Sequence, residues 1–584
     1  GVYDLEFYSQ LSLAKKLLMG GLRVFHRPSY LSNIEKKAVL SRFWEKDPSL
    51  WAKDPEVQKQ ITDRLGWLDV IPKMREAQGE IEGFAQDVRQ RGIKRIVLLG
   101  MGGSSLCPLV LSQVFGSQEG FPILKVLDTT DPDEVENVAR NGDWNSTLFL
   151  MASKSGTTVE PNALFNYFWP LLENEVSDPG SHFVAITDPG TPLEKLGNDR
   201  GFLKIFLNPS DIGGRYSALS YFGLVPAALL GVDIDRLLQR AEEMVSKCGP
   251  DMSLDTNPGY GLGEFLGEFG VQSRDKLTIL ADSPIKSFGL WLEQLVAEST
   301  GKETRGLVPI IGESTGIPGF YGGERIFVYL RIKGIQGKDS LEGFMSELRE
   351  ADFPVYELWL EDLYDMGAQF FLWEMATALA SHFLGVDPFD EPDVRRSKEK
   401  TGAILDVYRA EGKMPIKFWV DPNSQIHFRA SEMLAASMKS LPRALRDIFH
   451  VLPTWGYLAF LPYLPYDPEM EAIIGEMRYF VREEKGCATT MGYGPRYLHS
   501  TGQIYKGGPS SAAFLIFTRK RAKDYPVIPD FGVSLWHIQF AQAVGDFEAL
   551  SDARFRAIHV HLPSDYRLGL RDFSKVLSRS VRIK

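Results

Sequence analysis

Residues 1 to about 90 read mostly as helices. SNIEKKAVLSRFWEKD (32–47) and EVQKQITDRLGWLDVIPKMREAQGEIEGFAQDVRQRG (56–92) place apolar residues three and four positions apart. The pattern then changes. KRIVLLG (94–100), PILKVLD (122–128), TLFLMAS (147–153), HFVAITD (182–188) and FLKIFLN (202–208) are short apolar runs separated by helical stretches or loops. Apolar strands that alternate with helices predict a parallel sheet covered on both faces. The alternation resumes after about residue 250 with KLTILAD (276–282), RIFVYLRI (325–332) and PVYELWL (354–360). A long helix from about Met366 to Leu384 follows, then YLAFLPYL (457–464), AAFLIFT (512–518) and FRAIHVHL (555–562). The expected architecture is α/β: two doubly wound, mainly parallel sheets with flanking helices, after a helical N-terminal segment. The expected divisions are 1–90, 91–250 and 251–584, the last with an insertion around 400–485 and a C-terminal extension.

Composition narrows the classes. The 584 residues are 44% hydrophobic and 24% charged, ordinary for a globular protein with a sizeable core. A formal net charge of −11 argues against non-specific nucleic-acid binding. Cys107, Cys248 and Cys487 are far apart and show neither metal spacing nor a disulfide framework, which fits a reducing cytoplasm. The stretch GVYDLEFYSQ lacks the basic region of a secretory signal, and no apolar run approaches the ~20 residues of a membrane span. His559 and His561 alternate on one strand without an evident third ligand, so no metal and no cofactor are expected.

Two strand-to-helix loops carry the candidate chemistry. MASKSGTTVEP (151–161) holds Ser153, Ser155, Thr157 and Thr158 with Lys154 between them. Hydroxyls at a helix start can cap the helix or bind an anion, and one cap needs only one hydroxyl. LLGMGGSSL (98–106) leaves another strand through Gly102 and Gly103 into Ser104. It has neither dinucleotide nor nucleoside-triphosphate spacing. Both loops are expected at the C-terminal edge of one sheet, where ligands bind in open α/β folds.

GMGGSS followed some fifty residues later by SKSGTT resembles the sugar-isomerase (SIS) domain, which binds phosphosugars. DIGGRYSALSYFGLVPAAL (211–229) is similar to a signature of phosphoglucose isomerases, and EQLVAESTGKETRGLVP (293–309) resembles the bacterial stretch around the base glutamate. FLGVDPFDEPDVRRSK (383–398) resembles the segment ending in the active-site lysine, and LHSTGQ (498–503) the segment with the ring-opening histidine. The resemblance covers roughly 90–400 and 490–560, and is greatest to the isomerase half of bifunctional transaldolase/phosphoglucose isomerases.

That resemblance implies two SIS-type domains and reversible isomerisation of glucose 6-phosphate and fructose 6-phosphate. Alternatives are an isomerase for another phosphorylated or 6-substituted sugar, such as mannose 6-phosphate, and a phosphosugar sensor without turnover. An aldose–ketose isomerase needs a base, a cation near the enediolate and an acid–base group for the ring oxygen. Glu298 is the implied base. It falls in the last turn of a helix expected from Ser283 to Gly301, where the dipole disfavours a carboxylate and should raise its pKa. Arg215 is the implied cation, and His499, with Lys398, the implied ring-opening group. Ser104, Ser153, Lys154, Ser155, Thr157 and Thr158 would bind phosphate; Gly102, Gly103, Gly214 and Gln503 would line the substrate.

One departure stands out. In the family the histidine segment lies between the base and the lysine, and the partner subunit supplies it. Here the order is Glu298, Lys398, His499. A relocated histidine can be supplied within one chain, so a homodimer and a monomer both remain open.

Overall fold

In the computed structural model, residues 32–335 and 341–582 are described. The helical expectation for residues 1–31 lies outside them. Helices Asn33–Trp44, Pro55–Thr62 and Val70–Gln90 bear out the rest of the N-terminal reading. Ser32 and Glu35 cap the first of them reciprocally. The long apolar pattern over 56–92 breaks at Gly66, where a Cβ would lie 2.2 Å from the Asp211 carboxylate. Buried Trp67 follows, packed on Tyr216 and Phe371.

Five strands form the first sheet: β1 Arg95–Leu99, β2 Ile123–Leu127, β3 Thr147–Ala152, β4 Phe183–Thr187 and β5 Lys204–Leu207. Their order is β2-β1-β3-β4-β5, and every neighbouring pair is parallel. The winding reverses between β1 and β3, so the glycine loop and the hydroxyl loop flank one crevice at the strand C-termini.

The second sheet contains β6 Lys276–Ala281, β7 Val308–Ile310, β8 Arg325–Ile332 and β9 Val355–Leu360, in parallel order β7-β6-β8-β9. The predicted helix Met366–Leu384 follows it.

A third sheet holds β10 Trp419–Val420, β11 His427–Ala430, β12 Tyr457–Pro462, β13 Ala488–Met491, β14 Ala512–Arg519 and β15 Arg556–Leu562. Its order is β10-β11-β15-β14-β12-β13, with an antiparallel edge at β10 and β11. The stretch 251–584, expected to surround one sheet, thus divides between two. An apolar run identifies a strand but not its partner. β12, β14 and β15 pair with one another and leave β9 as an edge. β7, β10, β11 and β13 are two to four residues long, too short for a periodic pattern to reveal.

The third unit has its own apolar core around Leu458, Phe460, Leu515, Phe517 and Phe573. It is seated on the rest by two further clusters. Ile538 and Val544 pack with Val97 and Phe149 of the first sheet, and Ile504 and Tyr505 with Ala297 and Ile310. Buried charge locks the same seam. Arg496, just after β13, grips Asp128, just after β2, at 2.6 and 2.9 Å, and the Tyr466 hydroxyl donates to that carboxylate at 2.6 Å. Asp128 is fully buried.

Asp128→Ala leaves the Arg496 guanidinium without its buried partner. Urea denaturation should show a loss of roughly 3–5 kcal/mol. A loss below about 1 kcal/mol would mean that this lock does not hold the third unit.

Candidate active site

Three loops meet through glycine backbone. Gly102 has φ +54°, and a Cβ on it would lie 2.7 Å from the His499 carbonyl oxygen. A Cβ on Gly103 would lie 2.0 Å from the Gly214 carbonyl oxygen. The chain after β1 therefore touches the chain after β5 and the chain after β13 with no side chain between them. Gly214 has open space beside its own Cα; its carbonyl accepts from Ser217 Oγ at 2.6 Å.

The expected helix from Ser283 is two pieces, a short 3-10 turn at Ser283–Ile285 and the helix Phe288–Thr300, stopped at Gly301. Glu298 lies in its last turn, as predicted, and is buried. Its Oε2 accepts from Gln294 Nε2 at 3.0 Å and lies 3.6 Å from Arg215 Nη1. The Glu298 pKa is raised, chiefly by burial; Arg215 opposes the shift and Glu391 adds to it. Desolvation, rather than the helix dipole, is the main cause.

Arg215 occupies the 3-10 turn Gly214–Tyr216 and is buried. Nε donates to Ser299 Oγ at 3.0 Å, Nη1 to Glu391 Oε2 at 3.1 Å, and Nη2 to the carbonyls of Pro388 and Asp390 at 2.6 and 2.8 Å. Burial works against its charge, but Glu298 and Glu391 outweigh that and push its pKa up. It stays cationic at every pH where the fold survives.

His499 Nε2 lies 2.9 Å from Glu160 Oε1, in the same chain. Gln542 Nε2 donates to that oxygen at 2.8 Å, and Thr130 Oγ1 donates to Gln542 Oε1 at 2.8 Å. Burial alone would raise the Glu160 pKa; His499 and Lys398 overturn that and lower it. An ionised Glu160 accepts the proton on His499 Nε2, which leaves Nδ1 for a second partner. Lys398 is exposed on the first turn of the helix Arg395–Glu411 and joins the site only through its charge.

The hydroxyl loop forms two pairs, Ser153 Oγ with Thr158 Oγ1 and Ser155 Oγ with Thr157 Oγ1, each 2.9 Å apart. The helix Val159–Glu173 begins there with no side-chain cap. Ser153 Oγ and Ser155 Oγ instead accept from the loop N–H groups of Gly156 and Thr157 at 3.1 and 3.2 Å. Gly156, at φ +67°, allows the tight turn. Ser104 is nearly buried beside the loop after β1. Lys154 points elsewhere: its Nζ bonds Asp188 and donates to the Ser210 carbonyl at 2.9 Å. Gln503 is fully buried, and both ends of its amide are used. Nε2 donates to the Gly301 carbonyl and Asp393 Oδ2 at 3.0 and 2.6 Å, and Oε1 accepts from Asp393 N–H at 3.0 Å. It fastens the segment around His499 rather than facing open space.

Sequence reasoning missed Glu160, Gln294 and Glu391. Glu160 follows the hydroxyls in the first helical turn, where the dipole favours a carboxylate, and that position was the available signal. Gln294 donates to both Glu298 and the His499 carbonyl, each at 3.0 Å. His559 and His561 share Thr518 Oγ1 at 2.8 Å each. Among the described residues no group of His, Cys, Asp and Glu is arranged to hold a metal, and no helix is long and apolar enough to cross a membrane.

The fold is α/β, and the crevice of its first sheet gathers buried ionisable side chains and a hydroxyl loop at a helix start. Residues 61–322 match the family model described as phosphoglucose isomerase. It is similar to a glucose-6-phosphate isomerase of Nostoc punctiforme, 27% identical over 419 residues, covering 65% of this chain and 77% of that one. A hypothetical protein of Thermus thermophilus is similar in structure, with a TM-score of 0.54 and 25% identity over 65% of this chain and 97% of its own. A glucose-6-phosphate isomerase from Chlamydia trachomatis shares the fold, with a TM-score of 0.53 and 18% identity over 65% of this chain and 85% of its own.

Gly102→Ala forces a side chain against the His499 carbonyl. The expected cost is about 1–3 kcal/mol in urea denaturation. The His499–Glu160 separation should also widen in a crystal structure of the variant. Wild-type stability with an unmoved His499 would show that the glycine contact is not needed.

Proposed function

We propose that the protein interconverts glucose 6-phosphate and fructose 6-phosphate through an enediolate. The observation that carries this reading is the buried Glu298 carboxylate 3.6 Å from the Arg215 guanidinium, in a site that also receives the His499–Glu160 pair. The sequence match to the phosphoglucose isomerase family supports it.

The phosphate binds the N-terminus of Val159–Glu173 with Ser104, Ser153, Ser155, Thr157 and Thr158. His499, held by Glu160, exchanges a proton with the ring oxygen and opens the sugar; the Lys398 charge adds to this region. Glu298 then carries the proton between C2 and C1. Its raised pKa suits it to take up that proton, since a weaker acid has the stronger conjugate base. Arg215 faces the charge that develops on the enediolate oxygen. The five bonds and contacts that fix the guanidinium leave little reorganisation for the reaction itself.

Conversion of fructose 6-phosphate to glucose 6-phosphate, read through a coupled dehydrogenase with EDTA present, should proceed in the parent. Glu298→Gln should lower kcat roughly 10²–10⁴-fold. Activity should fall as the pH drops through a value above the ordinary 4.5 of a glutamate, because the working base is the carboxylate. A variant with undiminished turnover would remove Glu298 from its role.

His499 serves the Glu298 of its own chain. An equimolar mixture of Glu298→Gln and His499→Ala proteins, unfolded together and refolded, should then stay as inactive as its parts. Recovery of roughly a quarter of the parental rate would mean that chains exchange the histidine.

A further inference from the structure

We propose that Lys302 is a positioning residue that clamps the 387–391 loop to the base helix and so keeps Arg215 facing Glu298. This rests on the isomerase reading of the site.

Lys302 follows Gly301 at the end of the helix that carries Glu298, and only 3% of it is exposed. Its Nζ donates to the Asp387 carbonyl and to the Ser299 carbonyl, the latter at 3.2 Å, and pairs with Asp390 Oδ1 at 2.8 Å. The same loop receives Arg215 on the carbonyls of Pro388 and Asp390 and on the Glu391 carboxylate. Two buried cations thus hold four of the five residues 387–391. Between them Phe389 is packed edge-on against Trp51 and tilted against Tyr216, at 5.1 and 5.2 Å. Without the ammonium, the Asp387 carbonyl and the Asp390 carboxylate lose their common partner. The loop that fixes two of the guanidinium bonds is then free to shift.

The clamp reaches further. Asp393, two residues beyond the loop, is bonded in both directions to Gln503, four residues from His499. Lys302 therefore anchors a segment that touches both the Arg215 side and the His499 side of the site.

The clamp is also sensitive to pH. The Lys302 pKa is lowered to about 8, first by burial and then by the like charge of Arg215, against Asp390 and Asp387. The charged groups around it are Arg215 from the 3-10 turn and Asp387, Asp390 and Glu391 from the loop. The ammonium is lost as the pH rises through that value, so the grip on the loop weakens on the alkaline side.

The test compares wild type, Lys302→Met and Lys302→Arg. Hydrogen exchange of residues 386–394 at pH 7 reads the clamp without reference to activity. The pH dependence of kcat and KM for fructose 6-phosphate reads its consequence. Lys302→Met should speed exchange in that segment and lower kcat roughly 10- to 100-fold. Its KM should stay within about threefold, because the phosphate is held by the first sheet. Its alkaline limb near pH 8 should disappear. Lys302→Arg, charged at all these pH values, should keep the segment protected and move the limb upward. Unchanged exchange in Lys302→Met overturns the clamp. Faster exchange with an unchanged kcat and limb, in an active wild type, overturns the positioning role. A wild type without turnover overturns the isomerase reading and the positioning role with it, while the exchange result still decides whether the clamp exists.

Discussion

Everything at this site depends on one close approach. The His499 backbone lies against Gly102 with room for a hydrogen and none for a methyl group. Two residues far apart in sequence can meet so tightly only if the units that carry them are held in register. The Arg496–Asp128 pair does this across the same seam, three residues from His499 and one residue past β2. The third sheet thus becomes part of the first sheet's crevice. Without that docking, Glu160 would be a buried carboxylate at a helix start with no histidine beside it.

The electrostatics follow from the burial that docking creates. Glu298 loses water and its pKa rises; Arg215 restrains the rise and gains stability for its own charge. The balance leaves the Glu298 carboxyl above the usual carboxylate range. Glu160 is the opposite case. Equally buried, it is held down by His499 and stays a carboxylate, so it can fix the histidine's orientation. Two buried glutamates shift in opposite directions because one faces a shared guanidinium and the other a dedicated imidazole.

Much of this was legible in the sequence. The apolar runs gave the first five strands to within a residue or two, and with them the crevice between β1 and β3. Glu298 and Arg215 were singled out by family resemblance; the helix stop at Gly301 and the glycines before Arg215 gave only their local setting. What was hidden is non-local. Lys154 looked like part of the cradle because it sits among the hydroxyls, but its partner Asp188 is 34 residues away. Gln503 looked like a substrate ligand, but it spends its amide on Gly301 and Asp393. The third sheet was invisible because strand pairing is decided by tertiary register, which no periodicity records. His499 was found by its motif alone; that its own chain supplies Glu160 became evident only from the fold.

The central claim is that a carboxylate of this chain moves the proton of a sugar phosphate. Fructose 6-phosphate incubated with the protein in D2O, followed by proton NMR, tests it most directly. The account predicts glucose 6-phosphate carrying solvent deuterium at C2, with neither product nor label under Glu298→Gln. Product that forms with C2 fully protonated, at a rate unaffected by Glu298→Gln, would contradict it.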